Sequence, residues 1–197
     1  MVTGVKRADD RCVVCAPPAM DHEFDRAMLS CLSWSIYQPA STARRTVDNS
    51  DDPNPFKRLT YVPLSAEDRG RTVLTGDITA LLGGEYEVAV SIGARGQPTS
   101  LGGVLDAIDA ALSVRATAEM LGDLRDRGGL RAIEADRQRW QQLGPNPPRE
   151  PTIFEAWDGD ERSLTVRHYV GNGVCAYFEG FSAYRAGAGV YTVLIGT

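Results

Sequence analysis

Lysine is nearly missing from this 197-residue chain: only Lys6 and Lys57 occur, and the rest of its 21 basic residues are arginine, set against 26 Asp and Glu for a formal net charge of -5. That acidic balance argues against a protein that holds nucleic acid through a general phosphate-neutralising surface, which needs clustered excess Lys and Arg. Histidine is as scarce. His22 and His168 are the only imidazoles, which limits nucleophilic catalysis of the Ser/His or Cys/His kind. Cys12, Cys15, Cys31 and Cys175 are too few for a disulfide scaffold of this length, and residues 1–10 carry no hydrophobic stretch of a secretory signal, so reduced thiols and a cytoplasmic setting are expected. No apolar run nears the ~20 residues of a membrane-spanning helix. Glycine is plentiful, yet Gly93, Gly96, Gly102 and Gly103 match neither G-x-G-x-x-G nor G-x-x-x-x-G-K-[ST], which excludes the usual phosphate loops. What is present, 43% hydrophobic and 24% charged residues without internal repeats, suits a soluble globular chain able to bury a core.

Residues 1–21 are mixed and polar, and Pro17 and Pro18 mark them as an N-terminal arm to a single domain over 22–197. Over 22–37, Phe24, Ala27, Met28, Cys31, Leu32 and Ser35 recur at spacings of three and four, which predicts a helix capped by Asp21 and stopped by Pro39. Residues 40–55 hold almost nothing to bury and read as a long loop. Strands are predicted over 56–64, within 71–82, and over 85–95, where Tyr86, Val88, Val90 and Ile92 share a face. Helical period follows from 100 to 143: Val104, Leu105, Ile108, Ala111 and Leu112 behind Ser100 as N-cap, then Met120, Leu121 and Leu124 to a Gly128-Gly129 stop, then Leu130, Ile133, Arg137 and Trp140. A Pro-rich linker, 144–151, leads to four predicted strands, 152–157, 163–170, 174–184 and 189–196. The order implies an α+β fold, an antiparallel sandwich or barrel-like sheet flanked by two or three helices.

Cys12 and Cys15 form C-x-x-C, and adding His22 and Cys31 gives a four-ligand set for zinc. Cys31 falls on the stripe of the first predicted helix, where a small buried thiol is ordinary, so unligated thiols and no stoichiometric metal or cofactor are expected. His168 and Cys175 would sit on opposite faces of a hairpin, which makes His168 a sheet-surface residue. The acidic runs 48–52, 119–126 and 158–161 lie in turns or on a helix face and read as solvated surface. Arg125, Arg127, Arg131, Arg137 and Arg139 alternate with Asp123, Asp126, Glu134 and Asp136, the pattern of an exposed, ion-paired helix.

Residues 177–197, YFEGFSAYRAGAGVYTVLIGT, resemble the end of tail tube proteins of long-tailed bacteriophages, in which an aromatic-Gly strand, a short loop and a Thr/Val-rich strand close the sheet. Residues 85–113, EYEVAVSIGARGQPTSLGGVLDAIDAALS, are similar to tail terminator and related tail-completion proteins, with a strand followed by an amphipathic helix. The resemblance implies a small β-sandwich or barrel with a flanking helix, and a virion structural subunit that forms a ring with its own copies and neighbouring virion proteins. It implies no catalytic residue, no membrane and no sequence-specific nucleic-acid binding; net negative charge would let DNA pass without sticking. In such a ring Arg44 and Arg45 would meet Asp158, Asp160 and Glu161 of a neighbour. The competing readings are a small cytoplasmic enzyme or toxin/immunity-type protein using the Cys/His region, and a monomeric ligand-binding domain.

Overall fold

A computed structural model of the chain describes residues 2–7, 23–48, 53, 59–83, 86–93, 97–144, 152–171, 176–185 and 189–196. Residues 2–7 of the expected arm form a strand, β1 (Val2–Arg7). The helix expected over 22–37 is replaced by β2 (Glu23–Phe24), α1 (Arg26–Ser30) and β3 (Leu32–Ser35). Asp25, not Asp21, caps α1, its carboxylate accepting from the Met28 N–H at 3.0 Å. Leu32, Trp34 and Ile36 are buried at every second residue, a strand period that overrides the three-and-four spacing after Cys31.

The expected 40–55 loop contains a 3-10 turn (Ala40–Thr42) and β4 (Arg44–Asp48), which pairs with β3 on one side and β5 (Leu59–Pro63) on the other. Its small residues do find a core, for Ala40 and Ala43 are buried. Next come α2 (Ala66–Gly70), opened by a Ser65/Asp68 capping box, then β6 (Thr72–Thr75), β7 (Ile78–Leu82), β8 (Tyr86–Ile92) and β9 (Pro98–Ser100). The helical region forms as read: α3 (Leu101–Leu112) with the Ser100 hydroxyl accepting from the Gly103 N–H at 3.1 Å, α4 (Ala118–Asp126) and α5 (Gly129–Gln141). The four-strand ending does not. Residues 153–156 are turns, a 3-10 turn (Glu161–Ser163) precedes α6 (Val166–Gly171), and only the hairpin of β10 (Tyr177–Arg185) and β11 (Val190–Gly196) is extended.

Eight strands make one sheet in the order β1-β8-β7-β11-β10-β3-β4-β5, and β2-β6-β9 make a second. Pairing is antiparallel except between β7 and β11. The fold is α+β, with the large sheet open at both ends rather than closed into a barrel. Helix α3 lies against β8, and its predicted stripe, Val104, Leu105, Ile108, Ala111 and Leu112, is buried together with Val88, Val90 and Ile92. The small sheet is tied on by Phe24, whose ring meets Phe181 and Tyr191 edge-on at 5.0 Å. Where the strands turn, Gly93 has φ +102°, and an added Cβ would collide with the Gly76 carbonyl. Gly93→Ala is expected to lower stability by roughly 1–3 kcal/mol, read as a shifted urea midpoint; an unchanged midpoint would deny the close approach.

Candidate functional site

Alternation along β4 separates the two arginines expected to act together, because successive strand residues face opposite sides of a sheet. Arg45 stands on the helix side, its Nε 3.3 Å from the Asp68 carboxylate at the first turn of α2. The Ser65 N–H and hydroxyl, then Arg45 and Arg71, hold that carboxyl below its usual range. Arg44 lies on the other face, between Ser33 of β3 and Pro63 of β5. A single acidic turn cannot meet both side chains from one side.

The three expected acidic partners occupy one turn, and the turn uses them. The Asp158 carboxylate accepts from the Asp160 N–H at 2.9 Å and the Ser163 hydroxyl at 2.8 Å, which lowers its pKa. Asp160 caps the following 3-10 turn by accepting from the Arg162 N–H at 2.9 Å. Trp157 Nε1 donates to the Asp160 carbonyl at 3.0 Å, and Glu161 pairs with Arg125 of α4. Short range explains the Asp158 and Asp160 contacts, since Asp and Ser at these offsets bond nearby backbone; only the Glu161 pair with Arg125 reaches across the chain. Of the zinc candidates, Cys12, Cys15 and His22 lie outside the described residues. Cys31 is exposed at the end of α1, not in a core stripe. Among the described residues no group of three His, Cys, Asp or Glu could hold a metal ion.

His168 is not on a sheet surface. It lies in α6, 4% exposed, its ring 5.2 Å edge-on from Phe154. Nδ1 accepts from the Thr165 N–H at 3.1 Å, so His168 fills the place a Glu takes in a capping box and closes the start of α6. Burial pushes its pKa down to about 4, with the Arg167 charge acting the same way. The Ile153 backbone acts against burial, and more strongly than Arg167 acts with it, although Nε2 completes no hydrogen bond. A lone pair already taken by a backbone N–H is badly placed to serve as a general base.

Sequence reading missed the most connected polar group. Arg167, 5% exposed, reaches from α6 to the Ile36 carbonyl, the Gln38 carbonyl at 3.1 Å, the Ser113 hydroxyl at 3.0 Å and the Asp109 carboxylate of α3. Asp109 in turn accepts from the Ala40 N–H at 3.1 Å, and Arg69 of α2 donates to the Ala40 carbonyl at 3.1 Å. A charged residue inside the apolar run 164–170 was the available signal. Comparison with protein-family models, curated proteins and solved structures finds no match. No helix among the described residues is long and apolar enough to cross a membrane.

A second node lies two residues further along α6. The Tyr169 hydroxyl accepts from the Tyr86 N–H at 3.2 Å, the Arg127 guanidinium lies 5.0 Å from the ring centre, and burial raises the phenol pKa. Both nodes join helix to sheet and have the chemistry of fasteners. Among the described residues, β1 and β5 are the two edges of the large sheet.

Proposed function

We propose that the protein is a virion structural subunit, a phage tail or tail-completion protein of tube, terminator or connector type that assembles into a ring in the host cytoplasm. The observation that carries this reading is the open eight-stranded sheet, whose edges β1 and β5 each pair on one side only among the described residues. Following the pairings across the sheet, β1 and β5 run in the same direction. Head-to-tail neighbours can then join β5 of each copy to β1 of the next, a heterologous contact that closes into a ring and covers edges otherwise prone to aggregation. The hairpin β10–β11 and the β8–α3 pair are the elements that carry the resemblance to tail proteins. A net charge of -5 suits a conduit for DNA.

The β5 edge supplies the test. Leu64 donates to the Ala43 carbonyl and Thr46 donates to the Cys31 carbonyl, so by antiparallel alternation the N–H groups of Thr60 and Val62 point at β4 and that of Tyr61 points away. Pro63 occupies the next outward position. Tyr61→Pro therefore removes an edge donor and leaves the β4 ladder intact. The expected result is a folded chain, unchanged in far-ultraviolet circular dichroism, that no longer forms rings in electron micrographs. Rings from the variant would exclude this edge, and a wild-type chain that never assembles with itself or with tail components would reject the reading.

A further inference from the structure

We propose that residues 152–157 form a strap over α6 that lifts when His168 takes up a proton, ahead of any unfolding of the sheet. Its hold is aromatic. Phe154, 2% exposed, stands edge-on to the Tyr37 ring at 4.3 Å and to the His168 ring at 5.2 Å. Tyr37 is itself fixed to the end of α6, its hydroxyl donating to the Gly171 carbonyl at 3.1 Å, so close that a Cβ added at Gly171 would collide with it. Tyr37 and His168 are thus two walls of a seat, and the Phe154 ring fills it.

The strap's polar groups close on one another. The Thr152 N–H donates to the Glu155 carboxylate at 2.8 Å, the Glu155 N–H to the Thr152 hydroxyl at 3.4 Å, and the Ala156 N–H to the Thr152 carbonyl at 2.9 Å, a capping box with its turn. The Trp157 N–H donates to the Phe154 carbonyl at 3.3 Å, and its indole donates to Asp160 and Ser163 just beyond. No backbone hydrogen bond joins residues 152–157 to another described element. Lifting the strap therefore gives up packing, chiefly that of Phe154, and leaves its own turns intact.

His168 decides whether that packing holds. Nδ1 accepts from the Thr165 N–H, which places the ring proton on Nε2, a buried atom that completes no hydrogen bond. A second proton must come from solvent to Nδ1. There it opposes the Thr165 N–H, with the Thr165 hydroxyl at 3.0 Å as its acceptor, and it leaves a cation shut in by Phe154 and the strap. No carboxylate among the described residues is placed to neutralise it. Glu155 is turned back on the Thr152 N–H, Asp109 of α3 is paired with Arg167, and Asp123 and Arg127 of α4 pair with each other beside Tyr169. Arg167 itself opposes the second proton, and residues 36–38 carry no charge. Water reaches the imidazolium once the strap moves. Proteins open in parts at less free energy than they unfold, and the part tied down by one ring yields first.

Hydrogen exchange of the full chain at pH 7 and pH 5, corrected for the intrinsic effect of pH and repeated in low urea, tests this. A group at about 4 when enclosed and 6.5 when free makes opening roughly twentyfold more favourable at pH 5 than at pH 7. Amides of 152–157 and 165–171 should lose protection by about that factor, and at pH 5 should exchange faster than those of β7, β8 and β11. Their rates should be flat in urea, since lifting exposes little surface, while the sheet amides respond steeply. His168→Asn keeps an acceptor for the Thr165 N–H without titrating, so it should abolish the acid loss; His168→Gln serves if that variant does not fold. Strap amides that exchange only with the sheet and as steeply in urea, protection unchanged between the two pH values, or an acid loss that survives in the variant overturns the proposal. Ring formation does not enter these readings, so the strap and the ring stand or fall separately.

Discussion

Arg167→Ala is expected to remove about 3–5 kcal/mol of stability, the usual result of breaking a buried ion pair by deleting one partner. The guanidinium satisfies two carbonyls of the segment after β3, Ile36 and Gln38, as well as Ser113 and Asp109 on α3. Its loss strands those acceptors and leaves the Asp109 carboxylate, a quarter exposed, without its cation. Since domains are stable by only about 5–15 kcal/mol, the variant should unfold at markedly lower urea concentration. Arg167→Lys keeps the charge but not the planar fork, so it should recover only part of the loss. A midpoint unchanged in Arg167→Ala would show that the node is decorative.

Acid should unfasten α6 through His168. The folded-state pKa of about 4 lies below the ordinary 6.5, so between those values the unfolded chain binds a proton that the folded chain refuses. The contribution is fully present above about pH 6.5, falls as pH drops, and levels off near pH 4, a total of about 3 kcal/mol at about 1.4 kcal/mol per pH unit. His168→Asn keeps an acceptor for the Thr165 N–H without titrating. The unfolding free energy of wild type minus that of His168→Asn should therefore fall as pH drops through that window, by up to about 3 kcal/mol. Carboxylates held low, such as Glu134 at about 2 beside Arg137 and Gln138, are common to both proteins and cancel. Parallel profiles would mean that the imidazole is freely protonated in the fold.

Helix α3 was legible because both signals agreed: a stripe at three-and-four spacing and a Ser100 cap. Strands β8 and β11 were legible from β-branched alternation, and β10 from its period of two. Residues 22–37 satisfied a helical spacing and a strand alternation at once, and Leu32, Trp34 and Ile36 decided it only through their burial. Helix α6 has six residues, too few to display a period. It forms because the Thr165–His168 cap closes its start and Arg167 fastens it to Ile36, Gln38, Asp109 and Ser113, partners that come from distant parts of the chain. Strand β4 is polar on both faces since Arg45 is matched by Asp68, a pairing that no local pattern announces. Contact surfaces were the least legible, because the separation of Arg44 from Arg45 exists only once the pairing of β4 with β3 and β5 is known.

The parallel pairing of β11 with β7 has a consequence for how the chain is made. Strands β1, β8 and β7 form one half of the large sheet and β10, β3, β4 and β5 the other, and among the described residues β11 is the only strand joining them. It is also the last strand described. Residues 2–92, including the whole of β3, β4, β5, β7 and β8, thus leave the ribosome long before the strand that unites them exists. Until residues 190–196 arrive, each half presents a long bare edge, and the closing contacts span more than a hundred residues of sequence. Such topology makes for slow, late consolidation, and it places the nascent chain among those most in need of a chaperone while its centre is still open.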